Sequence, residues 1–233
     1  MSFNYDIFNK ELETIDFNNV KVINTINPHS YCVANGDLEF KSALEASDIL
    51  LPDGIGIVWA EKFLKGKRIE KIAGYDLFFY LMTKLELEKG SAFFMGASQS
   101  TLDKIKIKCS IDFPNVKVAT FSPPFKDVFS KEDTDVMCQN VNACMPNVLF
   151  VGMTAPKQEI WVHNNKNRLN ANLICSVGAV FDFYAGNIER APTLMIKMGL
   201  EWLHRSLNSR RLLKRNFVSN PKFIMEVLKL KFK

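Results

Sequence analysis

Asp53 stands where a general base would be useful. The apolar run Ile49-Leu50-Leu51 leads into Pro52-Asp53-Gly54-Ile55-Gly56, and a helix-like segment, Ile57-Val58-Trp59-Ala60-Glu61, follows. A short buried strand thus ends at a carboxylate set among residues that permit tight backbone turns. Open α/β sheets bind ligands beyond the carboxyl ends of their strands, so an acid there can take a proton from a bound hydroxyl. Capping the helix that begins at Ile55 is the plainer use of the same residue, and the two uses are compatible.

Other apolar runs also end in polar clusters. Asn24-Thr25-Ile26-Asn27-Pro28-His29 offers Thr25 and Asn27, side chains that hydrogen-bond hydroxyls and amides; ordinary Asn-Pro turn chemistry explains the segment equally well. Phe94-Met95-Gly96-Ala97-Ser98 runs from strand through Gly96 to a helix start, where free backbone N–H groups suit a phosphate. Val151-Gly152-Met153-Thr154-Ala155-Pro156-Lys157-Gln158-Glu159 leads from a strand end through Gly152 to a first helical turn in which Lys157, Gln158 and Glu159 form a dense polar cluster, with Pro156 expected as the first helical residue. Val177–Gly186 carries Gly178 and sets Asp182 among aromatics, a surrounding suited to a base or ribose. Nearer the end come Arg205, Arg210, Arg211 and Arg215, close enough along a helix to clamp a diphosphate, or to form a merely solvated basic face.

Several lookalikes fail. Gly54-Ile55-Gly56 starts a dinucleotide fingerprint, but Trp59 occupies the third glycine position. Asp133-Thr134-Asp135 imitates a metal-binding Asp-x-Asp, yet after Ser130 it reads as the acidic first turn of a helix. His29, His163 and His204 lack metal-ligand spacing. Neither a metal nor a cofactor is expected.

The elements that must hold these residues alternate. Strands are expected at Val20–Ile26, Ile49–Leu51, Ala92–Met95, Val116–Thr120, Val148–Val151 and Leu173–Val177. Helical patterns lie near 38–46, 55–64, 77–88, 101–109, 133–141 and 157–167. The fold class is therefore α/β: a Rossmann-like, largely parallel sheet covered by helices on both faces. After Gly186 only helical patterns remain, at 194–207, 211–217 and 223–230, with a break at Asn220-Pro221. Residues 1–190 read as an α/β body, expected to carry any catalysis, and 191–233 as a basic helical appendage, either a solvated face packed on the body or, from its apolar residues at helical spacing, a membrane-surface helix.

Of 233 residues, 47% are apolar and 24% charged, enough for a sizeable core. The net charge of +5 divides unevenly: residues 186–233 hold 11 Lys and Arg against three acids, and the rest is mildly acidic. Such a tail seeks phosphates, nucleic acid or a lipid surface. Five scattered cysteines, none in a Cys-x-x-Cys pair, argue against a disulfide framework or a zinc ribbon and favour reduced, cytoplasmic thiols. Met1–Asp6 lacks the pattern of a signal peptide, and no apolar run reaches the roughly 18 residues of a membrane span.

In order and spacing, the segments resemble the WecG/TagA/CpsF family of bacterial glycosyltransferases. The resemblance rests on Thr25-x-Asn27, Leu51-Pro52-Asp53-Gly54-x-Gly56, Gly74-x-Asp76-Leu77, Pro156-Lys157-Gln158-Glu159, Phe181-Asp182-x-x-x-Gly186, Arg190-Ala191-Pro192 and Gly199-Leu200-Glu201-Trp202. It implies a metal-independent, inverting transferase that moves a sugar, N-acetylmannosamine-like or another hexose or hexosamine, from a UDP-sugar donor to a polyprenyl-diphosphate-linked sugar acceptor. Teichoic acid, capsule or common antigen would be the product's destination. Carried over by position, Asp53 is the base; Thr25, Asn27 and Gln158 line the sugar and acceptor pocket; Asp182 holds the nucleoside. The arginines at 205, 210, 211 and 215 complete the site at the inner leaflet of the plasma membrane. Lys71 stands where the family usually has arginine, and Thr154 and Asn208-Ser209 also depart from its pattern.

Two other readings compete. A nucleic-acid-binding protein would use the basic tail, which lacks the interleaved aromatics expected for single strands. A non-catalytic nucleotide-sugar-binding protein would share the site but not turn over. The sequence leaves a homo-oligomer open.

Overall fold

The computed structural model describes residue 3, residues 5–17 and residues 19–232. Met1, Ser2, Asn4, Asn18 and Lys233 lie outside them, which includes part of the start considered above for a signal peptide.

Six strands form one parallel sheet in the order β2-β1-β6-β5-β3-β4. They span Lys21–Ile26 (β1), Ile49–Pro52 (β2), Ser91–Gly96 (β3), Lys117–Phe121 (β4), Val148–Gly152 (β5) and Leu173–Ser176 (β6). All six expected strands are present. β5 and β6 are buried at every position, because helices cover both sheet faces. Lys117–Phe121 lies at the sheet edge and stays half-exposed.

Helices α1 (Pro28–Ala34) and α2 (Leu38–Glu45) connect β1 to β2, and α3 (Ile55–Lys65) and α4 (Gly74–Glu88) follow β2. Then α5 (Gln99–Asp112), α6 (Lys131–Cys144) and α7 (Lys157–Asn165) alternate with the later strands. After β6 come α8 (Val180–Tyr184), α9 (Thr193–Lys197), α10 (Glu201–Leu207) and α11 (Arg210–Lys231).

Several sequence expectations change. The helix expected over 194–207 is two, α9 and α10, and Pro156 is the N-cap of α7 and not its first helical residue. The Asn27-Pro28 segment is the start of α1: Asn27 accepts hydrogen bonds from the N–H groups of His29 and Ser30, and Ser30 Oγ accepts from Asn27 N–H at 2.8 Å. The expected break at Pro221 does not occur, and α11 runs through it. The carbonyl that Pro221 leaves without a donor belongs to Phe217, on the solvent side of the helix, where water can satisfy it.

The last helix is pinned by packing. Phe223 and Val227 are fully buried in one apolar cluster with Phe3, Tyr5, Tyr31 and Ile57. The Phe223 ring meets Tyr31 edge-on at 5.2 Å. Burying each of these side chains is worth about 1.5–3 kcal/mol. Between α10 and α11, Asn216 Nδ2 donates to Ser206 Oγ at 2.7 Å in a buried contact. Among the described residues no helix is long and apolar enough to cross a membrane.

Candidate active site

The strands all end on one side, and that side is hollow. Thr25, Asp53, Ala97, Ser122, Met153 and Val177, one residue from the end of each strand in turn, line a cleft of about 2100 Å³. A pocket for one drug-sized ligand is roughly 300–1,000 Å³, so there is room for two substrates. From the neighbouring strands β3 and β5 the chain leaves in opposite directions, toward β4 and toward β6, which opens a crevice between them. Its floor is tight. A Cβ on Gly152 would stand 2.4 Å from the Phe181 ring, and one on Gly96 would stand 2.4 Å from the Gly152 carbonyl oxygen.

Asp53 is held at the cleft by its backbone and not by its side chain. Its N–H donates to Ile26 O at 2.9 Å, which extends the β1–β2 ladder by one residue. The N-cap of α3 is Gly54, whose φ of +115° a side chain would resist, and no side chain caps this helix. The capping use of Asp53 is therefore not realised. Its carboxylate makes no hydrogen bond among the described residues. Burial raises its pKa from 3.8 to about 6; Arg205 and Lys71 pull it down, while Glu201 and Asp76 push it up. A carboxylate of that basicity, facing a cleft, matches the needs of a general base near neutral pH.

Cations supplied by α10 and α11 face it. Arg205 lies over the Phe183 ring at 5.0 Å, and Arg211 and Arg215 stand one turn apart on α11. None of the three is paired with a carboxylate within 4.0 Å among the described residues. Burial lowers the Arg215 pKa, Arg205 and Arg211 lower it further, and Asp53 opposes them. Three neighbouring guanidinium groups with no carboxylate bonded to them suit an anion. Arg210 precedes Arg211 by one helical step and is exposed outside the cleft.

The remaining expected residues divide. Asn27, Gly54, Gly152, Lys157, Gln158, Gly178 and Asp182 line the cleft with Thr25 and Lys71. Gly96 does not, because its backbone is pressed against Gly152. Lys157 is occupied: its ammonium bonds to the Lys126 carbonyl and lies 3.8 Å from the Phe129 ring centre, tying down the loop after β4. Asp182 Oδ1 accepts from Asn187 Nδ2 at 3.2 Å. Lys71 pairs with Glu201 Oε2 at 3.7 Å, while Arg190 bridges Glu201 Oε1 and Asp76 at 3.4 and 3.3 Å and stacks on Tyr75. Asp133 caps α6 and meets Lys126, and Asp135 meets Arg168, so this pair serves the helix. Among the described residues no three His, Cys, Asp or Glu side chains gather as a metal site.

His29 was not picked out from the sequence. It lines the cleft, shares a 2.8 Å hydrogen bond with Ser219, and has its pKa lowered to about 4 by burial and then by Arg215. The imidazole is therefore neutral. Its only sequence signal was its place two residues after Asn27.

The profile of the glycosyl transferase WecG/TagA/CpsF family matches residues 4–233 of the chain. The chain belongs to this family. Among its relatives is the N-acetylglucosaminyldiphosphoundecaprenol N-acetyl-beta-D-mannosaminyltransferase of Bacillus subtilis (strain 168), 31% identical over 208 residues, 89% of this chain and 79% of the relative. The enzyme of the same description from Bacillus spizizenii is 32% identical over 224 residues, covering 95% and 85%. The one from Staphylococcus aureus (strain MW2) is 26% identical over 216 residues, covering 93% and 82%. The protein is a glycosyltransferase with a Rossmann-like α/β fold.

Proposed function

We propose that this glycosyltransferase moves an N-acetylmannosamine-like hexosamine from a UDP-sugar to the sugar of a polyprenyl-diphosphate-linked acceptor, in the synthesis of teichoic acid or a related surface polymer. The observation that carries the reading is the facing of Asp53, unbonded and of raised pKa, by Arg205 and Arg215 across a cleft large enough for two substrates. The relatives' printed acceptor, a diphosphoundecaprenol-linked N-acetylglucosamine, supports the acceptor class.

Asp53 accepts the proton of the acceptor hydroxyl as its oxygen attacks the anomeric carbon. Attack from the face opposite UDP inverts that centre, and the bond to the diphosphate breaks. The negative charge that develops there falls to Arg205, Arg211 and Arg215, which needs no metal. Thr25, Asn27 and Gln158 line the sugar end, and Asp182 holds the nucleoside. Residues 1–190 act as the catalytic body and 191–233 as the segment that completes the site. Exposed Phe217, Ile224, Met225 and Leu228 on α11, among its lysines, suit a peripheral contact with the inner leaflet.

Incubation with a panel of UDP-sugars and a short-chain polyprenyl-diphosphate-N-acetylglucosamine tests the reading by product mass. One added N-acetylhexosamine is the expected result. No product with any donor would overturn it.

A further inference from the structure

Glu159 is buried without a cation. It is 3% exposed, no Lys, Arg or His pairs with it among the described residues, and Oε2 has no hydrogen-bond partner there. Lys157, two positions away, has turned its ammonium to the Lys126 carbonyl. A carboxyl in such a place costs stability, and an apolar side chain of similar volume would be easier to hold. Burial raises its pKa to about 7, which agrees with an environment built for something other than charge pairing.

The side chain meets one functional partner. Oε1 accepts a 2.8 Å hydrogen bond from Nε2 of Gln158, itself 3% exposed. On the other side of the Gln158 amide, Oε1 accepts from the Met153 N–H at 3.1 Å. These two contacts fix which way the amide faces: a backbone N–H needs an acceptor, and a carboxylate needs a donor. Nε2 carries two hydrogens, and Glu159 takes one. The second is left beside Gly178, where an added Cβ would stand 3.6 Å from Nε2, at the wall of the cleft.

We propose that Glu159 is a positioning residue, which holds the Gln158 amide so that its remaining N–H donates into the sugar-binding part of the cleft. Flipping the amide would set two acceptors together at Glu159 and two donors together at Met153. The Met153 contact also polarises the amide and strengthens the donor. The proposal rests on Gln158 being a sugar-site residue, as proposed above.

A double-mutant cycle with Glu159→Leu and Gln158→Ala tests it, read as kcat/KM for sugar transfer, with thermal melting of each variant. E159L puts an apolar side chain of similar volume where a carboxyl is buried without a cation, so its melting temperature holds or rises. It also removes the acceptor for Gln158 Nε2, and its kcat/KM falls about tenfold or more, the scale on which small misplacements act. In the Q158A background, E159L brings no further loss. Independently of turnover, the Gln158 side-chain amide protons exchange slowly by NMR in the parent and faster in E159L. Additive losses, or unchanged amide exchange, would remove the role of Glu159 alone. Full activity of Q158A would instead remove the reading of Gln158, and this proposal with it.

Discussion

Lys71 Nζ lies 3.7 Å from Glu201 Oε2, joining the segment after β2 to the first residue of α10. The same carboxylate takes Arg190 on its other oxygen at 3.4 Å. These contacts fasten the C-terminal helices to the body beside the cleft. They also act on Asp53, whose carboxyl Glu201 makes less acidic and Lys71 makes more acidic.

Opposite substitutions at this contact therefore move the pH dependence of transfer in opposite directions. Only ionised Asp53 can accept a proton, so kcat/KM rises with pH through its pKa of about 6. Glu201→Gln removes a negative neighbour and shifts that limb to lower pH. Lys71→Met removes a positive one and shifts it to higher pH. Limbs that move together, or not at all, would show that Asp53 is not the titrating group.

The helix phase separates two adjacent arginines. Arg211→Ala and Arg215→Ala each remove a guanidinium from the cleft and weaken UDP binding by about 10- to 100-fold, the range of a charge-assisted hydrogen bond. Arg210→Ala leaves affinity within about twofold, because, unlike the equally exposed Arg211, its side chain does not line the cleft. Calorimetric titration with UDP compares the three variants directly. Equal losses at 210 and 211 would contradict this placement of α11.

Stability carries the mark of Glu159. Its pKa is raised from 4.5 to about 7 in the folded chain, so between those values the native state holds a proton that the unfolded chain has released. Stability from this group is full below about pH 4.5 and is lost as pH rises through about 7. The loss is on the order of a few kcal/mol. E159Q has no such group, so its advantage over the parent in denaturant melts grows from pH 5 to pH 8. A constant difference would show that the carboxyl titrates as an exposed one does.

Much of this was legible in the sequence, and the exceptions have physical reasons. The six strands stood out because a parallel sheet covered on both faces requires continuous apolar runs. Helix α1 did not, since its only sign was Asn27 with Ser30 three residues on, and Asn-Pro pointed to a turn. Pro221 misled because a proline inside a helix is tolerated where the freed carbonyl faces water, and sequence does not show which side faces water. The site's backbone positions were readable from strand ends, whereas its electrostatics were not. Glu201 meets Lys71 across 130 positions of sequence, and Arg190 meets Asp76 across 114. Whether Asp53 caps α3 was decided by Gly54 taking the N-cap.

The proposed reaction depends first on Asp53. Asp53→Asn keeps the side chain's shape and removes the base, so transfer to a polyprenyl-diphosphate-linked acceptor should fall by at least about 100-fold, the lower end of what a general base contributes. Measured beside it by calorimetry, UDP affinity should stay within a few-fold of the parent, since the arginines proposed to hold the diphosphate are untouched. Turnover by Asp53→Asn at the parent's rate would contradict the account.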